Sequence, residues 1–177
     1  CKMRVLKSTL GFSLLGLMLV GPVQAQTVGG NINASLVLTS SCLINGVAGA
    51  DGATFGALNF GTTTSLFSTA TGQVLSGGSA LRILCSAGTT PKLTLGAGAH
   101  DGEADEGTRA MASSGNFVGY DLYSDTGYAD LLEIGDEVDL QLSDGTEKTV
   151  NLYGKATGKA GLPAGSYSDT ISVVLTF

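Results

Sequence analysis

Short runs in which apolar and polar residues alternate recur along most of this chain, and turn dipeptides such as Asn45-Gly46 and Asp101-Gly102 separate them. A period of two places the apolar side chains of a run on one face of a β-strand. Beyond residues 1–25, no comparable run has the spacing of an amphipathic helix. The pattern therefore predicts an all-β sandwich or barrel. The alternating apolar sets are Leu81, Ile83 and Cys85; Leu93 and Leu95; Val118, Tyr120 and Leu122; Val138, Leu140 and Leu142; Val150 and Leu152; and Tyr167, Ile171, Val173, Leu175 and Phe177.

The first alternating run, VGGNINASLVLTSSC over residues 28–42, has no evident hairpin partner. Its apolar face is the row Val28, Gly30, Ile32, Ala34, Leu36 and Leu38. The last run ends at Phe177, and its inward set contains Ile171, Val173 and Leu175. Edge strands are normally protected by charge, proline or a covering segment, and this one has none of these.

These two runs suggest a sandwich that lacks one strand. The N-terminal segment of another copy would supply it, which is donor-strand complementation, a form of β-augmentation. Donor and acceptor are different surfaces, so the contact would repeat head to tail into an open fibre. The alternative is an ordinary first strand, paired within its own chain, in a complete sandwich.

Residues 1–25 have the organisation of a secretory signal peptide, with basic KMRVLKS, apolar TLGFSLLGLMLVGP and small residues in VQA before Gln26. Cleavage is expected after Ala25. A transmembrane anchor is the alternative, but it needs about 20 apolar residues. We find no other boundary, so the expected organisation is a signal peptide over 1–25, a donor segment over 26–41 and one sandwich domain over 42–177.

Charge and cysteine content narrow the function classes. Without residues 1–25, six basic and fifteen acidic side chains remain, a formal net charge of −9, which disfavours nucleic acid as a partner. Two cysteines remain, Cys42 and Cys85, and an exported protein with an even pair is expected to form a disulfide. Two separate buried thiols are the alternative. The disulfide would stabilise the fold by about 4 kcal/mol in the chain-entropy model.

Two local expectations concern connections. Leu140 and Leu142 should share a face with Val150 and Leu152, which requires an odd-numbered hairpin loop such as Ser143-Asp144-Gly145. The Gly-, Ala- and acid-rich segment 96–115 is expected to be a long surface loop.

Motifs for chemistry are sparse. Asp125-Thr126-Gly127 matches an aspartic-protease signature, but no second copy occurs, and the tripeptide also suits a turn. Asp101, Glu103 and Asp105 have the spacing of a calcium loop, but the glycine and the final glutamate are missing. With a single histidine, His100, a histidine metal cluster is not expected. We therefore expect no catalytic residue, metal site or cofactor.

Several segments together resemble the spore coat protein U family, which includes the pilin subunits of archaic (Csu-type) chaperone–usher pili. They are the signal, the alternating segment ending at Cys42, FGALNFG at 55–61, GGSALRILC ending at Cys85, YDLYSDTGYADLL at 120–132 and LPAGSYSDTISVVLTF at 162–177. The resemblance implies an incomplete immunoglobulin-like sandwich that is missing its last strand. It also implies a periplasmic chaperone that lends a strand, an outer-membrane usher and neighbouring pilin subunits as partners.

Carried onto this chain, the resemblance implies that Val28, Gly30, Ile32, Ala34, Leu36 and Leu38 form the donor strand. Ile171, Val173, Leu175 and Phe177 would form the acceptor edge, with the carboxylate of Phe177 as an anchor for the chaperone. The expected function is a non-enzymatic structural subunit of a cell-surface fimbrium, secreted through the periplasm, for attachment and biofilm formation. The alternatives are a single-domain adhesin or carbohydrate-binding module, with Tyr120, Tyr123 and Tyr128 as its candidate group, and a non-polymerising secreted coat protein.

Overall fold

The computed structural model describes Gln24 and residues 26–177, which contain β-strands, turns and extended segments. None of these residues is helical, so the described part of the chain holds no helix able to cross a membrane. The thirteen strands, in chain order, are β1 (Cys42–Ile44), β2 (Val47–Ala48), β3 (Ala57–Leu58), β4 (Thr69–Ser76), β5 (Ser79–Cys85), β6 (Lys92–Leu95), β7 (Arg109–Ser113), β8 (Asn116–Tyr123), β9 (Leu131–Leu132), β10 (Glu137–Asp139), β11 (Lys148–Val150), β12 (Tyr153–Thr157) and β13 (Val173–Thr176).

Every pairing between these strands is antiparallel, and the strands form two sheets. The large sheet runs in the order β2-β1-β5-β4-β12-β8-β7, with β11 also on β5, β3 on β4 and β9 on β8. The small sheet runs β10-β6-β13, so β13 is an edge strand that pairs with β6 alone. The expectation of an all-β sandwich is confirmed.

One hydrophobic core collects the inward rows of both sheets. Leu81 and Leu93 are completely buried, and each comes from one of the alternating sets that the sequence predicts to face inward. Val118, Tyr120, Leu122, Val150 and Leu152 join them with exposures of 4% or less. The period-two interpretation is therefore correct for the central strands, because a strand alternates its side chains whatever its partners are.

The predicted disulfide joins Cys42 to Cys85. The two residues lie directly opposite each other on β1 and β5, and both are buried. The bond therefore links the first strand of the large sheet to its neighbour.

Replacing both cysteines with alanine should lower the free energy of unfolding by about 4 kcal/mol, because the reduced chain regains the entropy of an open loop. Urea unfolding of the two proteins measures this difference. A loss below about 1 kcal/mol would contradict it.

The expected hairpin around Ser143-Asp144-Gly145 is wrong. β10 pairs with β6 in the small sheet, whereas β11 pairs with β5 in the large sheet, so the connection crosses from one sheet to the other. Leu140 is buried, but Leu142 is 64% exposed and does not share its face. The parity argument assumed that strands adjacent in sequence are partners, and here each strand finds a more distant one.

The expected loop over residues 96–115 is also partly wrong, because β7 (Arg109–Ser113) lies inside it. β7 pairs along its whole length with β8, and Arg109 and Ala110 are completely buried. The Gly- and acid-rich composition correctly describes the turns at 96–108 but hides the short strand that follows them.

A network of backbone carbonyls holds the buried Arg109 side chain. Its guanidinium donates hydrogen bonds to the carbonyl oxygens of Leu132 at 3.0 Å, Gly96 at 3.2 Å, Glu133 at 3.2 Å and Leu95 at 3.4 Å. Leu95 is the last residue of β6, in the small sheet, and Gly96 follows it. Leu132 is the last residue of β9, in the large sheet, and Glu133 follows it. The Arg109 side chain therefore joins both sheets.

Candidate interaction site: an open cleft over the core

Two adjoining cavities open over the core of the 38–177 unit. The first, about 490 Å³, is lined by residues 58–67 and 162–167, and the second, about 500 Å³, by residues 53–60 and 167–173. They share four lining residues, Leu58, Phe60, Met111 and Tyr167. We call the two cavities together the cleft, and the segments 53–67 and 162–173 its walls.

The floor of the cleft consists of core side chains. The second cavity reaches Leu81, Leu93 and Leu122, all with exposures of 2% or less. The first cavity reaches Val118 and Ala156. The floor of the cleft is therefore apolar, whereas its walls also carry polar side chains such as Thr62, Ser166 and Asp169. An apolar floor beneath polar walls is suited to an extended segment that is apolar on one face.

Paired glycines position the first wall. Gly72 on β4 and Gly154 on β12 face each other in the ladder, and the segment 57–60 lies across them. A Cβ atom on Gly154 would lie 2.5 Å from the Leu58 side chain, and one on Gly72 would lie 2.5 Å from the Asn59 carbonyl oxygen. Without side chains at these two positions, the wall can lie flat on the sheet, which allows Leu58 and Phe60 to line the cleft.

A ridge of three side chains crosses the second cavity. The Tyr120 hydroxyl donates a hydrogen bond of 2.7 Å to the Asp169 carboxylate, which also accepts one from the backbone N–H of Ala99. On the opposite side, the Phe60 ring packs edge-on to the Tyr120 ring with centroids 5.8 Å apart. Burial raises the pKa of the Tyr120 hydroxyl, and the bond to Asp169 raises it further, so the hydroxyl stays protonated and donates. We call Phe60, Tyr120 and Asp169 the ridge.

The backbone of the second wall has one occupied edge and one open edge. Ser168 exchanges hydrogen bonds with Ala112, and Ser172 bonds to residues 96–97, so these two residues face the neighbouring strands. The intervening residues Asp169 and Ile171 turn the other way, since successive backbone groups in a strand point to opposite edges. In the described part of the chain their N–H groups donate no backbone hydrogen bond. Those donors are free to pair with an added strand.

Three of the four residues predicted for the acceptor edge lie against the core: Ile171, Val173 and Leu175 are half-buried and pack on it. Ile171 and Val173 also line the second cavity. Phe177 is 50% exposed and lies outside the lining of both cavities. The side chains from Tyr167 to Leu175 alternate inward and outward as the sequence predicts.

The residues predicted as the donor row are exposed among the residues that the structure describes. Residues 26–40 form neither helix nor strand, so the strand expected over 28–38 is not present in the single chain. Val28 and Ile32 are 97% and 98% exposed, and Leu36 and Leu38 exceed 80%. Gly30 and Ala34 are exposed as well. A strand exists only through hydrogen bonds to a partner strand, and an alternating sequence alone does not supply one. The signal peptide predicted over residues 1–25 lies, except for Gln24, outside the described residues.

The first wall was missed as a site by reasoning from the sequence. Phe55, Leu58, Phe60 and Phe67 all pack against the core from this segment. The signal available was three aromatic residues within 55–67, a region otherwise rich in Gly and Thr. Such irregular spacing matches neither helix nor strand periodicity, so it gives no hint of a wall.

The motifs with possible chemistry have structural roles. The Asp125 carboxylate accepts hydrogen bonds from the backbone N–H groups of Asp130, Ala129 and Gly127, which hold its pKa below the ordinary value and fix the turn. Asp101 accepts the N–H of Gly98. The residues that the structure describes contain no group of three or more potential metal ligands.

The three tyrosines considered for a binding module do not form one exposed group. Tyr120 belongs to the core, whereas Tyr123 and Tyr128 pack edge to face with centroids 5.4 Å apart. Tyr123 and Tyr128 are only partly exposed. A carbohydrate-binding surface built on all three side chains is therefore not present.

Comparison with known proteins finds a family model, a relative and a solved structure that resemble this chain. The family model described as Spore Coat Protein U domain matches residues 29–174. "Protein U" of Myxococcus xanthus is 29% identical in an alignment of 170 positions that covers 91% of this chain and 91% of Protein U. A crystal structure of the CsuC–CsuE complex, a chaperone with a tip adhesion subunit from archaic chaperone–usher Csu pili of Acinetobacter baumannii, matches with a TM-score of 0.46 and 23% identity. That match covers 79% of this chain, which in turn spans 40% of the Csu chain.

Proposed function

Because the chain belongs to the Spore Coat Protein U domain family, we propose that it is a structural subunit of a secreted chaperone–usher pilus. Subunits join by donor-strand exchange, in which the 28–38 segment of one copy fills the cleft of the next. The donor row is Val28, Gly30, Ile32, Ala34, Leu36 and Leu38, and the acceptor edge is Ile171, Val173, Leu175 and Phe177. The fibre serves attachment and biofilm formation at the cell surface, and the subunit itself has no enzymatic role.

The observation that carries this proposal is that the same chain has an open cleft and an exposed segment whose length and apolar pattern match that cleft. The second wall spans twelve residues, 162–173, and the donor row spans eleven, 28–38. At about 3.3 Å per residue an extended donor is about 36 Å long, comparable to the greatest length of that wall. The segment is alternately apolar, the cleft floor is apolar, and the wall offers free backbone N–H groups on its open edge.

Energetics support an assembly that survives dilution. Burying about five apolar side chains contributes about 1.5–3 kcal/mol each, or about 10 kcal/mol before ordering costs are subtracted. The main-chain ladder adds to this value. A chaperone would cover the cleft before assembly by lending a strand, and the usher would exchange that strand for the donor segment of the incoming subunit.

Deleting residues 26–39 tests the proposal directly. We expect the full chain to form fibres visible by electron microscopy and the deleted chain to form none, while it still binds its chaperone and keeps the Cys42–Cys85 disulfide. A matched control replaces the same residues with a Gly/Ser segment of equal length. Fibres of the deleted chain would refute the proposal, as would a trimmed monomer whose cleft is closed by its own residues.

A further inference from the structure

The side chain of Asn45 joins three separate segments of the fold. Asn45 lies in the turn between β1 and β2, and its side-chain oxygen accepts a hydrogen bond of 3.0 Å from the backbone N–H of Arg82 on β5. Its side-chain nitrogen donates to the carbonyl oxygens of Thr54 at 3.2 Å and Phe55 at 3.4 Å, in the first wall. Both ends of this amide are therefore in use, one as an acceptor and the other as a donor.

The Asn45 amide is the polar anchor for the beginning of the first wall. Residues 54–56, which precede β3, form no backbone–backbone hydrogen bond in the described part of the chain. Phe55 nevertheless packs against the core and lines the second cavity. The two bonds from the Asn45 nitrogen therefore hold the backbone that presents Phe55 to the cleft.

Asn45 is also the one asparagine in the sequence that a glycine follows. The residues after the other five asparagines are Ile32, Ala34, Phe60, Phe117 and Leu152. An asparagine loses its side-chain amide when the backbone nitrogen of the next residue attacks the side-chain carbon. Glycine has no side chain to hinder that approach, so Asn-Gly is the pair most open to the reaction.

The turn leaves the attacking nitrogen accessible. Gly46 is exposed, and its N–H donates no backbone hydrogen bond in the described part of the chain. A Cβ atom placed on Gly46 would meet nothing within 4 Å, so water reaches this side of the turn. The left-handed φ angles of Asn45 (51°) and Gly46 (81°) are those of a tight hairpin turn with its outer side open to solvent.

We infer that Asn45-Gly46 is a site of spontaneous deamidation, and that loss of the amide releases the beginning of the first wall. The Gly46 nitrogen bonds to the Asn45 side-chain carbon, its proton passes to the departing nitrogen, and ammonia leaves a five-membered succinimide. Water then breaks one of the two imide C–N bonds of that ring and gives aspartate or isoaspartate. The net reaction converts amide and water to carboxylate and ammonium, without an oxidant or a reductant.

Neither product can make the same contacts as the amide. A carboxylate only accepts hydrogen bonds, so aspartate at position 45 keeps the bond from Arg82 but turns a negatively charged oxygen toward the carbonyls of Thr54 and Phe55. Isoaspartate also lengthens the backbone of the turn by one carbon, which disturbs the pairing of Ile44 with its partner on β2. Both products leave the Phe55 backbone without its anchor.

Occupation of the cleft slows the reaction. A segment that fills the second cavity packs on Phe55, so it also stabilises the two bonds that keep the Asn45 amide engaged. Because such coupling is reciprocal, deamidation in turn weakens binding in the cleft. The site therefore marks subunits that remain unassembled. This coupling rests on the proposed function, whereas the modification itself does not.

Peptide mapping by mass spectrometry tests the modification in the full chain. After incubation of the folded chain in mildly alkaline buffer, we expect conversion at Asn45 at least about tenfold faster than at any of the other five asparagines, which serve as internal controls. In assembled fibres, conversion at Asn45 should be at least about tenfold slower than in the free chain. Conversion no faster than at the other asparagines would overturn the inference, and equal rates in fibres and free chain would overturn the coupling.

Asn45→Asp, compared with Asn59→Asp, tests the release of the wall. Asn59 lies in the same wall and is exposed, and its side-chain oxygen accepts the N–H of Gly61 at 2.7 Å, a bond that a carboxylate also accepts. The two variants therefore carry the same charge change, but only Asn45→Asp loses a donor. Cleavage by chymotrypsin after Phe55 should be at least about tenfold faster in Asn45→Asp than in Asn59→Asp, because it requires local opening of the wall.

Cleavage after Tyr153, in the centre of the large sheet, should be equally slow in both variants and shows that the rest of the fold is intact. Fibres of Asn45→Asp should also form at least about tenfold more slowly than those of Asn59→Asp. Equal cleavage after Phe55 in the two variants, or faster cleavage at both sites in Asn45→Asp, would overturn the release of the wall. Failure of the unmodified chain to form fibres would refute the proposed function, while the mapping and cleavage results would still decide the inference.

Discussion

Ile32→Asp should abolish fibre formation, whereas Asn33→Asp should leave it nearly intact. The two substitutions introduce the same charge one residue apart, but position 32 belongs to the apolar row and position 33 to the outward row. In the assembled fibre the aspartate at position 32 would be buried against the apolar cleft without a cation. The lost isoleucine removes about 1.5–3 kcal/mol, and the desolvated carboxylate adds several kcal/mol.

Together these effects should weaken the contact between subunits at least about 1,000-fold, since each 1.4 kcal/mol is a factor of ten. Fibre length by electron microscopy and the monomer fraction by size-exclusion chromatography measure the change. An equal loss of fibres for both variants would contradict the alternating donor strand. It would show that the added charge is responsible, whichever face of the strand carries it.

Mixing provides a second readout of the same prediction. The Ile32→Asp chain retains an unaltered cleft, so it can accept a donor even though it cannot donate one. When it is mixed with the unmodified chain it should occur only as the first subunit of a fibre, where its cleft is filled and no donor is needed, and immunogold labelling of a tag on the variant should mark one end of each labelled fibre. A variant that acted only by misfolding would be absent from the fibres.

Arg109→Met should cause a large loss of stability although Arg109 lies outside the cleft. The variant removes the Arg109 donor from the carbonyls of Leu95, Gly96, Leu132 and Glu133. The bonds to Leu132 and Leu95 are buried, and Leu95 keeps a second bond, from the N–H of Gly135. An unsatisfied buried acceptor costs about 1–3 kcal/mol. Removal of the buried charge offsets part of this loss, so we expect a net decrease of about 3 kcal/mol or more in the free energy of unfolding.

Arg82→Met is the matched control for that substitution. Arg82 lies on β5, and its guanidinium contacts Glu147 at 3.4 Å, with both side chains more than 40% exposed. An exposed pair of this kind contributes about 1 kcal/mol or less. Urea unfolding should therefore separate the two variants clearly, and similar midpoints would refute the special role of Arg109.

The two ends of the chain illustrate how far periodicity can predict a site. A period of two in the sequence identifies the rows from Val28 to Leu38 and from Ile171 to Leu175 as strand faces, because side-chain alternation is a local property of the backbone. The structure agrees for the second row, which packs on the core. For the first row it adds that a single chain leaves the residues exposed and without strand pairing.

The ridge and the first wall could not be predicted in this way. Tyr120 and Asp169 are 49 residues apart in the chain, and their contact depends on β8 lying beneath the second wall. Nothing in the alternation of either segment indicates that contact. Phe60 belongs to a segment without regular period, and it reaches the cleft only because two glycines on neighbouring strands let its segment lie flat.

The class of fold, the inward members of the central strands and the cysteine pair could all be predicted from the amino-acid sequence, because they depend on local geometry and on composition. The neighbours of each strand are known only from the folded chain, as with β10 and β11, which enter different sheets although they follow each other in the chain. The folded chain also makes Arg109 a buried donor to four distant carbonyls, and it leaves a cleft between two separate walls. Strand pairing and buried polar contacts join residues that are far apart in the chain. Their contribution to the free energy of folding therefore depends on which segments the fold brings together.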